Sequence, residues 1–372
     1  MADTIKCPNC SANLVFDADA QKMRCDWCGA MFTTKELEDL RVDELEEVAS
    51  SKEQSQVQTD TSVPEEESKT EEIPQEQPDA QEYVCNSCGA VVVTDANTSA
   101  SFCAFCGSPA LVGSKLTREF RPSKIIPFKY GKEKAVEKFF EWCKGGRMTP
   151  LDFVSDRNIE KLTGLYVPFW LFDVDGHLDI EATATKSSSV TTGSKTVTTV
   201  RTYRIKRRRK YHWSRIPLDG ETKVDDLLME AIEPFKYKDL RDYDYRYLSG
   251  FYADVYDLDN KALEQRLVKR ITEYIDEEYK LTVKNYPSPR IVSNKNRIGG
   301  IKAEYALLPV WFLHYKYLNK DYYFAMNGQT GEVAGVPPVS VLKRLLLCTT
   351  VMTAVALIVK IIAMLFLKER FG

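Results

Sequence analysis

Apolar residues are spread very unevenly along this chain of 372 residues. Toward the carboxyl end, Leu345 to Leu367 reads LLLCTTVMTAVALIVKIIAMLFL, 23 residues with a single charge at Lys360. About 20 apolar residues span a bilayer core as a helix, so this run predicts one membrane span. Two stretches repeat apolar residues at three- and four-residue steps and predict helices over Lys132–Lys144 and Lys261–Lys280, the second capped by Asp259 or Asn260. Shorter runs predict strands at His177–Thr185, Thr196–Lys206, Ile301–Leu308, Trp311–Tyr317 and Asp321–Met326. Asn327-Gly328 offers a hairpin turn after the last of these, and Gly331 a longer loop. From about 42 to 82 the chain is rich in Glu, Gln, Ser, Thr and Pro and has no periodic apolar pattern beyond Leu45 and Val48, a composition that predicts a disordered spacer.

These patterns divide the chain into a first small module (1–35), an acidic linker (36–82), a second small module (83–114), a body (115–340) and a membrane anchor (341–372, span about 345–367). The expected class is α+β and multidomain. The body carries a weak internal duplication: Pro127-Phe128-Lys129-Tyr130 returns as Pro234-Phe235-Lys236-Tyr237, and Leu165-Tyr166-Val167-Pro168-Phe169-Trp170 is echoed by Leu307-Leu308-Pro309-Val310-Trp311.

Charge sharpens this division. The net charge of −3 conceals a linker with 17 Asp and Glu against three Lys and Arg, which leaves the remainder basic. Basic residues flank the apolar run equally, Lys343 and Arg344 before it and Lys368 and Arg370 after it, so the loop-charge rule does not orient it. The cysteines do. Eight of the ten lie in Cys-x-x-Cys pairs, and no apolar signal region precedes them, so the expected setting is reducing: a tail-anchored protein of the cell membrane with its bulk in the cytoplasm.

Those pairs form two matched quartets, Cys7, Cys10, Cys25, Cys28 and Cys85, Cys88, Cys103, Cys106, each reading Cys-x2-Cys-x14-Cys-x2-Cys. Two tight knuckles joined by a hairpin bring four thiolates to one tetrahedral ion, so the spacing predicts two structural zinc ribbons, one ion each; iron satisfies the same donor set. Gly29, Gly89 and Gly107 follow second cysteines where a knuckle needs positive φ, and Ser11 departs from that pattern. Residues 83–114 contain one charged side chain, Asp95, so the ribbons lack the basic footprint of a nucleic-acid binder. Val91, Val92, Val93 and Phe105 suit a protein-binding surface or a small ribbon core. The linker is expected to let the first ribbon range around the second.

One segment of the body is strongly basic. Arg201, Arg204, Lys206, Arg207, Arg208, Arg209, Lys210 and Arg215 fall within fifteen positions that hold no acid, interleaved with Tyr203, Tyr211 and Trp213. Three readings fit: contact with anionic lipid, a stacking surface for nucleic acid, or a solvated hairpin that receives the acidic linker. Catalytic signatures are missing. His177, His212 and His314 lie in no metalloprotease-like pattern, and neither a phosphate-binding glycine loop nor a nucleophile elbow occurs. The chain is expected not to be an enzyme.

The paired ribbon cysteines, Ile126-Pro127-Phe128, Tyr166-Val167-Pro168-Phe169-Trp170, Ile216-Pro217-Leu218-Asp219-Gly220, Ile232-Glu233-Pro234-Phe235, Tyr247-Leu248-Ser249-Gly250-Phe251 and Asn327-Gly328-Gln329-Thr330-Gly331 together resemble a bacterial family of double zinc-ribbon membrane proteins. Members are labelled zinc-ribbon, TFIIB-type or replication-restart-helicase-like, although this chain has no motor motif. Relatives resemble partners of phage-shock-type (ESCRT-III-like) and SPFH proteins in membrane stress. The resemblance implies a membrane adaptor that recruits cytosolic proteins. The competing expectation is a membrane-tethered nucleic-acid-binding protein of replication or transcription.

Overall fold

The structure, a computed structural model, describes residues 5–40 and 81–371 apart from 95–102, 107, 109–110, 116–121, 146–148, 151–152, 154–158 and 160. Most of the acidic linker, with its expected disorder, lies outside the described residues. The chain is mixed α+β.

Two long strands form the centre. β8 (Thr163–Thr192) and β13 (Arg297–Tyr317) pair antiparallel, with Val167 opposite Leu308. Their apolar stretches are nearly continuous rather than alternating because both faces of the sheet are covered, and Tyr305 to Leu313 is buried throughout. Each strand then folds back: β8 onto β9 (Lys195–Asp219), and β13 onto β14 (Lys320–Asn327). The five predicted strands are thus fragments of four longer ones. Pro309 does not break β13. Its carbonyl, which points to the same side as its nitrogen, accepts from the Gly328 amide (2.8 Å), so the missing N–H faces a loop and not a ladder. After Asn327 the chain takes the longer loop through Gly331 before β15 (Val333–Gly335).

The duplication is structural, and its halves exchange partners. β7 (Lys124–Ile125) precedes β8 but pairs parallel with β13, while β11 (Tyr252–Asp254) precedes β13 but pairs parallel with β8. Matching hydrogen bonds repeat on the two sides. Trp170 Nε1 donates to the Leu258 carbonyl (3.0 Å) and Trp311 Nε1 to that of Tyr130 (2.8 Å). The Gly220 amide donates to the Pro168 carbonyl (2.9 Å), as Gly328 does to Pro309, and the Gly220 and Gly328 carbonyls each accept from two amides, those of Asp257 and Leu258 and of Lys129 and Tyr130. The spatial counterpart of Pro127–Tyr130 is therefore Val255–Leu258, and its resemblance to Pro234–Tyr237 is not a structural equivalence. Gly328 has no freedom to vary: a Cβ there would lie 2.5 Å from the Phe128 ring.

The helices follow the exchange. α1 (Lys132–Gly145) buries Ala135, Phe139 and Cys143 at four-residue steps, with Phe139 edge-on to Phe324 of β14 (5.2 Å). Between β9 and β11 lies the short α2 (Asp226–Ala231). α3 (Glu264–Val283) buries Leu267, Ile271, Ile275, Tyr279 and Val283 in one cluster with Leu178, Ile180 and Ile205 of the β8–β9 hairpin. It starts three residues later than its apolar period suggests. Asp259 instead accepts from the Ala262 amide (2.7 Å) and holds the turn that leads in. α4 (Val341–Phe371) is joined to the body by Lys343, whose Nζ donates to the Thr149 carbonyl (2.7 Å).

The two matching loops differ in charge. Asn327 and Gln329 are buried amides, and Gln329 both donates to and accepts from the Lys236 backbone. Their counterparts Asp219 and Glu221 are buried acids. Burial pushes the Asp219 carboxyl from 3.8 up to about 6, against the pull of Arg266, whose guanidinium lies 2.9 Å away. The native state therefore binds this proton more tightly than the unfolded chain. The cost of the buried charge is full above pH 6 and is relieved as pH falls toward 3.8. Asp219→Asn is expected to remove that dependence: relative to the variant, the native chain gains on the order of 3 kcal/mol between pH 7 and pH 4. Paired denaturant titrations at the two pH values measure this, and parallel curves would show that Asp219 titrates normally.

Candidate metal centres

Each knuckle is built from two local hydrogen bonds. The first cysteine's carbonyl accepts from the amide four residues on, as in Ser11 to Cys7 (2.8 Å), Gly29 to Cys25 (2.9 Å) and Gly89 to Cys85 (2.8 Å). Its amide donates five residues on, to Ala12, Ala30 and Ala90, and Cys103 does the same to Ser108. The residue after the second cysteine takes positive φ: 72° at Gly29, 72° at Gly89 and also 58° at Ser11. Ser11 is therefore no exception to the knuckle geometry; it adopts the left-handed conformation at some steric cost. Gly107 lies outside the described residues.

These turns bring each quartet together, with all four sulfurs of a group within 4.8 Å of one another. Cys7 and Cys28 Sγ lie 3.6 Å apart, Cys10 and Cys25 3.5 Å, and both Cys85–Cys106 and Cys88–Cys103 3.7 Å. A tetrahedral ion with metal–sulfur bonds of about 2.3 Å requires sulfur–sulfur edges of about 3.8 Å. The donor sets fit such an ion, and four protein thiolates leave no open coordination position for substrate. Each group can thus hold one metal ion, with Cys7, Cys25, Cys85 and Cys103 buried and Cys28 and Cys88 exposed.

The two groups lie on opposite faces of one sheet. In the first module, β1 (Leu14–Asp17), β2 (Lys22–Cys25) and β3 (Met31–Phe32) form their own small sheet. Leu14, Phe16 and Met23 share a core with Phe128, Tyr166, Phe251, Leu307 and Trp311. Phe16 stands edge-on to Tyr247 (5.0 Å), and Ser249 Oγ donates to the Leu14 carbonyl (2.8 Å). Arg246, nearly buried, donates to the Thr34 carbonyl (2.7 Å) and pairs with Glu38 and Asp244. Gly250, at φ 86°, lets the backbone come so close that a Cβ would meet Val15 at 2.8 Å. The first ribbon is therefore docked on the body and does not range freely. The spacer's composition is silent about this, because the seat is made by residues roughly one hundred to three hundred positions away.

The second module is not separate either. β4 (Gln81–Cys85), β5 (Val91–Thr94) and β6 (Leu111–Lys115) extend the body's sheet, to twelve strands among the described residues, because β5 pairs with β11, Val93 opposite Ala253. Val91, Val92, Val93 and Phe105 are buried, and Cys85, Cys103, Val92 and Phe105 share a core with Val167, Leu308 and Phe312. The expected docking patch is core. Each four-cysteine group seals one face of the central strands.

Among the described residues of the two ribbons, the most exposed large apolar side chain lies at the second knuckle of the first. Trp27, between Cys25 and Cys28, is 85 % exposed, and Met31 follows it at 46 %. Phe105 holds the matching place between Cys103 and Cys106 and is buried against the body, so knuckle position alone did not mark Trp27 as exposed.

The basic segment forms most of β9, an edge strand. Arg204, Lys206, Arg208, Lys210 and His212 project on one face, opposite Thr183, Glu181, Asp179, His177 and Asp175 of β8. Lys206 pairs with Glu181 (2.9 Å), Arg208 with Asp179 (3.1 Å), His212 with Asp175 (2.9 Å), and Arg204 lies 3.8 Å from Glu181. Arg207 and Arg209 project on the other face, with Arg201. Arg209 stacks on Tyr211 (5.2 Å), and Arg215 lies over Tyr237 (6.0 Å). Tyr211 stacks on Trp213 (5.2 Å), which tilts against Tyr274 of α3, so these aromatics belong to the packing of the helix. A run that holds no acid along the chain thus meets an acidic stripe across the strand. The two-residue turn at Gly193-Ser194 would have revealed it, since that turn sets the register.

α4 is long and apolar enough to cross a membrane over Val341–Ile362, and its apolar stretch is not buried against the body.

No protein-family model matches the chain, and no solved structure matches it. It is 31 % identical over 340 residues to "Uncharacterized protein YdjG" of Bacillus subtilis (strain 168), an alignment that covers 91 % of each chain. At that identity and coverage, this protein belongs to the same family as YdjG.

Proposed function

We propose that the protein is a non-enzymatic adaptor, anchored in the cell membrane by α4 with its bulk in the cytoplasm, that presents a zinc-stapled surface to cytosolic proteins of the phage-shock (ESCRT-III-like) and SPFH kinds during membrane stress. The observation that carries this reading is Trp27. The knuckle between Cys25 and Cys28 offers a nearly bare indole, with Met31 half exposed beside it in sequence, while Leu14, Phe16 and Met23 are turned into the body. Tryptophan is a frequent interface anchor, because it contributes a large area at little entropic cost. Zinc is the proposed ion, since closed tetrathiolate sites in small ribbons are characteristic of it. The pairing of Lys206 with Glu181 and of Arg208 with Asp179 weighs against an extended nucleic-acid track along the outer face of the basic strand, because acids alternate there with the cations.

Crosslinked affinity isolation from nuclease-treated membranes tests it, with the native chain compared with Trp27→Ala at matched abundance. Recovery of membrane-stress or SPFH proteins is expected to fall about tenfold in the variant, the loss typical of an interface anchor. Capture of replication or RNA-processing proteins that disappears with nuclease would sink the adaptor reading.

A further inference from the structure

The two faces of β9 are not compensated alike. On the outer face each Arg or Lys has a polar or acidic partner on β8, whereas on the α3 side Arg207 lies opposite Ile180, Arg209 opposite Leu178, and Arg201 opposite another cation, Lys186. Like charges directly across an antiparallel pair repel. No acidic residue occurs between Ala182 and Leu218 to relieve them.

This uncompensated face ends in a cavity. α3 stops at Val283 while the β8–β9 hairpin continues, and between them lies an open notch of about 550 Å³. Lys186, Arg207, Lys284, Asn285, Tyr203 and Tyr286 line it, and no carboxylate does. The two tyrosine rings stand edge to face at 5.5 Å, and the Arg207 guanidinium is held over Tyr286 (5.8 Å). Arg207 is fixed in place, because Nη2 donates to the Thr282 carbonyl (3.1 Å) and Nη1 to that of Lys206 (3.0 Å). The first of these bonds also removes an objection. A helix C-terminus repels anions through its free carbonyls. Here Arg207 satisfies Thr282, and the Tyr286 amide satisfies Val283 (2.9 Å). Glu278, the α3 carboxylate in contact with this face, is engaged farther along it by the Tyr211 hydroxyl (3.3 Å).

We propose that this notch binds a phosphoryl group, with Lys186, Arg207 and Lys284 supplying the charge and Asn285 and the tyrosine hydroxyls supplying further donors. The chemistry is that of charge-assisted hydrogen bonds to phosphate oxygens, and an anion there relieves the repulsion between Lys186 and Arg201. A membrane lipid headgroup and free phosphate both present this group. The proposal gives the basic strand one defined ligand class and is independent of what the ribbons hold, so failure here leaves the adaptor reading standing.

The test is calorimetric titration of inorganic phosphate into the full-length, metal-loaded protein in phosphatidylcholine nanodiscs, repeated in nanodiscs that contain phosphatidic acid. Saturable binding is expected in phosphatidylcholine. Its loss in phosphatidic acid discs identifies the headgroup as the occupant, and its persistence identifies free phosphate. Lys186→Glu with Lys284→Glu, both at exposed positions, is expected to weaken binding by about tenfold or more. Arg204→Glu with Lys210→Glu, the same change of charge on the outer face, is expected to leave it nearly unchanged. Absence of saturable binding by the native chain, or equal weakening by both pairs of substitutions, would overturn the proposal. If the first double variant does not accumulate, Lys284→Gln alone carries the comparison.

Discussion

Removing the metal from the first ribbon is expected to unfold the ribbon and strip one face of the body's sheet in a single transition. The ribbon's own strands are two to four residues long and cannot sustain a core without the ion. Structural zinc contributes about 10–16 kcal/mol in small ribbons, comparable with the whole stability of a domain. Leu14, Phe16 and Met23 are buried against Phe251, Tyr247 and their neighbours, at roughly 1.5–3 kcal/mol for each large apolar side chain. Losing the ribbon therefore exposes the body's aromatic face as well as the ribbon's own. Hydrogen exchange measured before and after chelation, or in Cys7→Ser with Cys25→Ser, should show Leu14–Cys25 and Tyr247–Ala253 losing protection together. Loss confined to the ribbon would mean that the seat on the body persists without it, and the docking would then not depend on metal.

Truncation before α4 should have an equally large effect on where the protein is found. The helix leaves Leu345, Leu346, Val351, Val355, Leu357 and Ile361 more than half exposed, an apolar surface far larger than a soluble monomer shows. A bilayer removes that surface from water, and only Lys360 within the run resists, its long stem able to carry the ammonium toward the headgroups. The full chain is expected in the alkali-resistant membrane fraction. A chain ending at Ser340 should move almost entirely to the soluble fraction, because a transmembrane helix holds far more tightly than any surface contact. If the truncated chain still pelleted with membranes, α4 would not be the main attachment, and the phosphoryl notch beside α3 would be the next element to examine.

The acid–base ladder of the β8–β9 hairpin changes how the basic strand should be understood. Eight cations in fifteen positions look like a ligand surface when read along the chain. Across the strand, Asp175, Asp179 and Glu181 meet three residues of that stretch within hydrogen-bonding distance. Such pairs contribute little stability individually when exposed. Their consequence is specificity: they offset much of the charge on the outer face and leave Arg201, Arg207 and Arg209 without an acid across the strand on the α3 side.

What local spacing along the chain carried was considerable. The two four-cysteine groups, the apolar span and the stripes of α1 and α3 follow from intervals of two to four residues or from a continuous apolar run, and short-range backbone geometry makes such intervals readable. Even the internal duplication was visible in Tyr166–Trp170 and Leu307–Trp311. What emerged only on folding depended on which distant strands became neighbours. The exchange of β7 and β11 between the halves, the seating of the first ribbon on Tyr247–Phe251, the extension of the sheet by β5 and the neutralisation of Lys206 and Arg208 all arise from pairings between segments far apart in sequence. A side chain's own neighbours along the chain do not specify these pairings. They are selected together, when the apolar faces of β8 and β13 are covered from both sides.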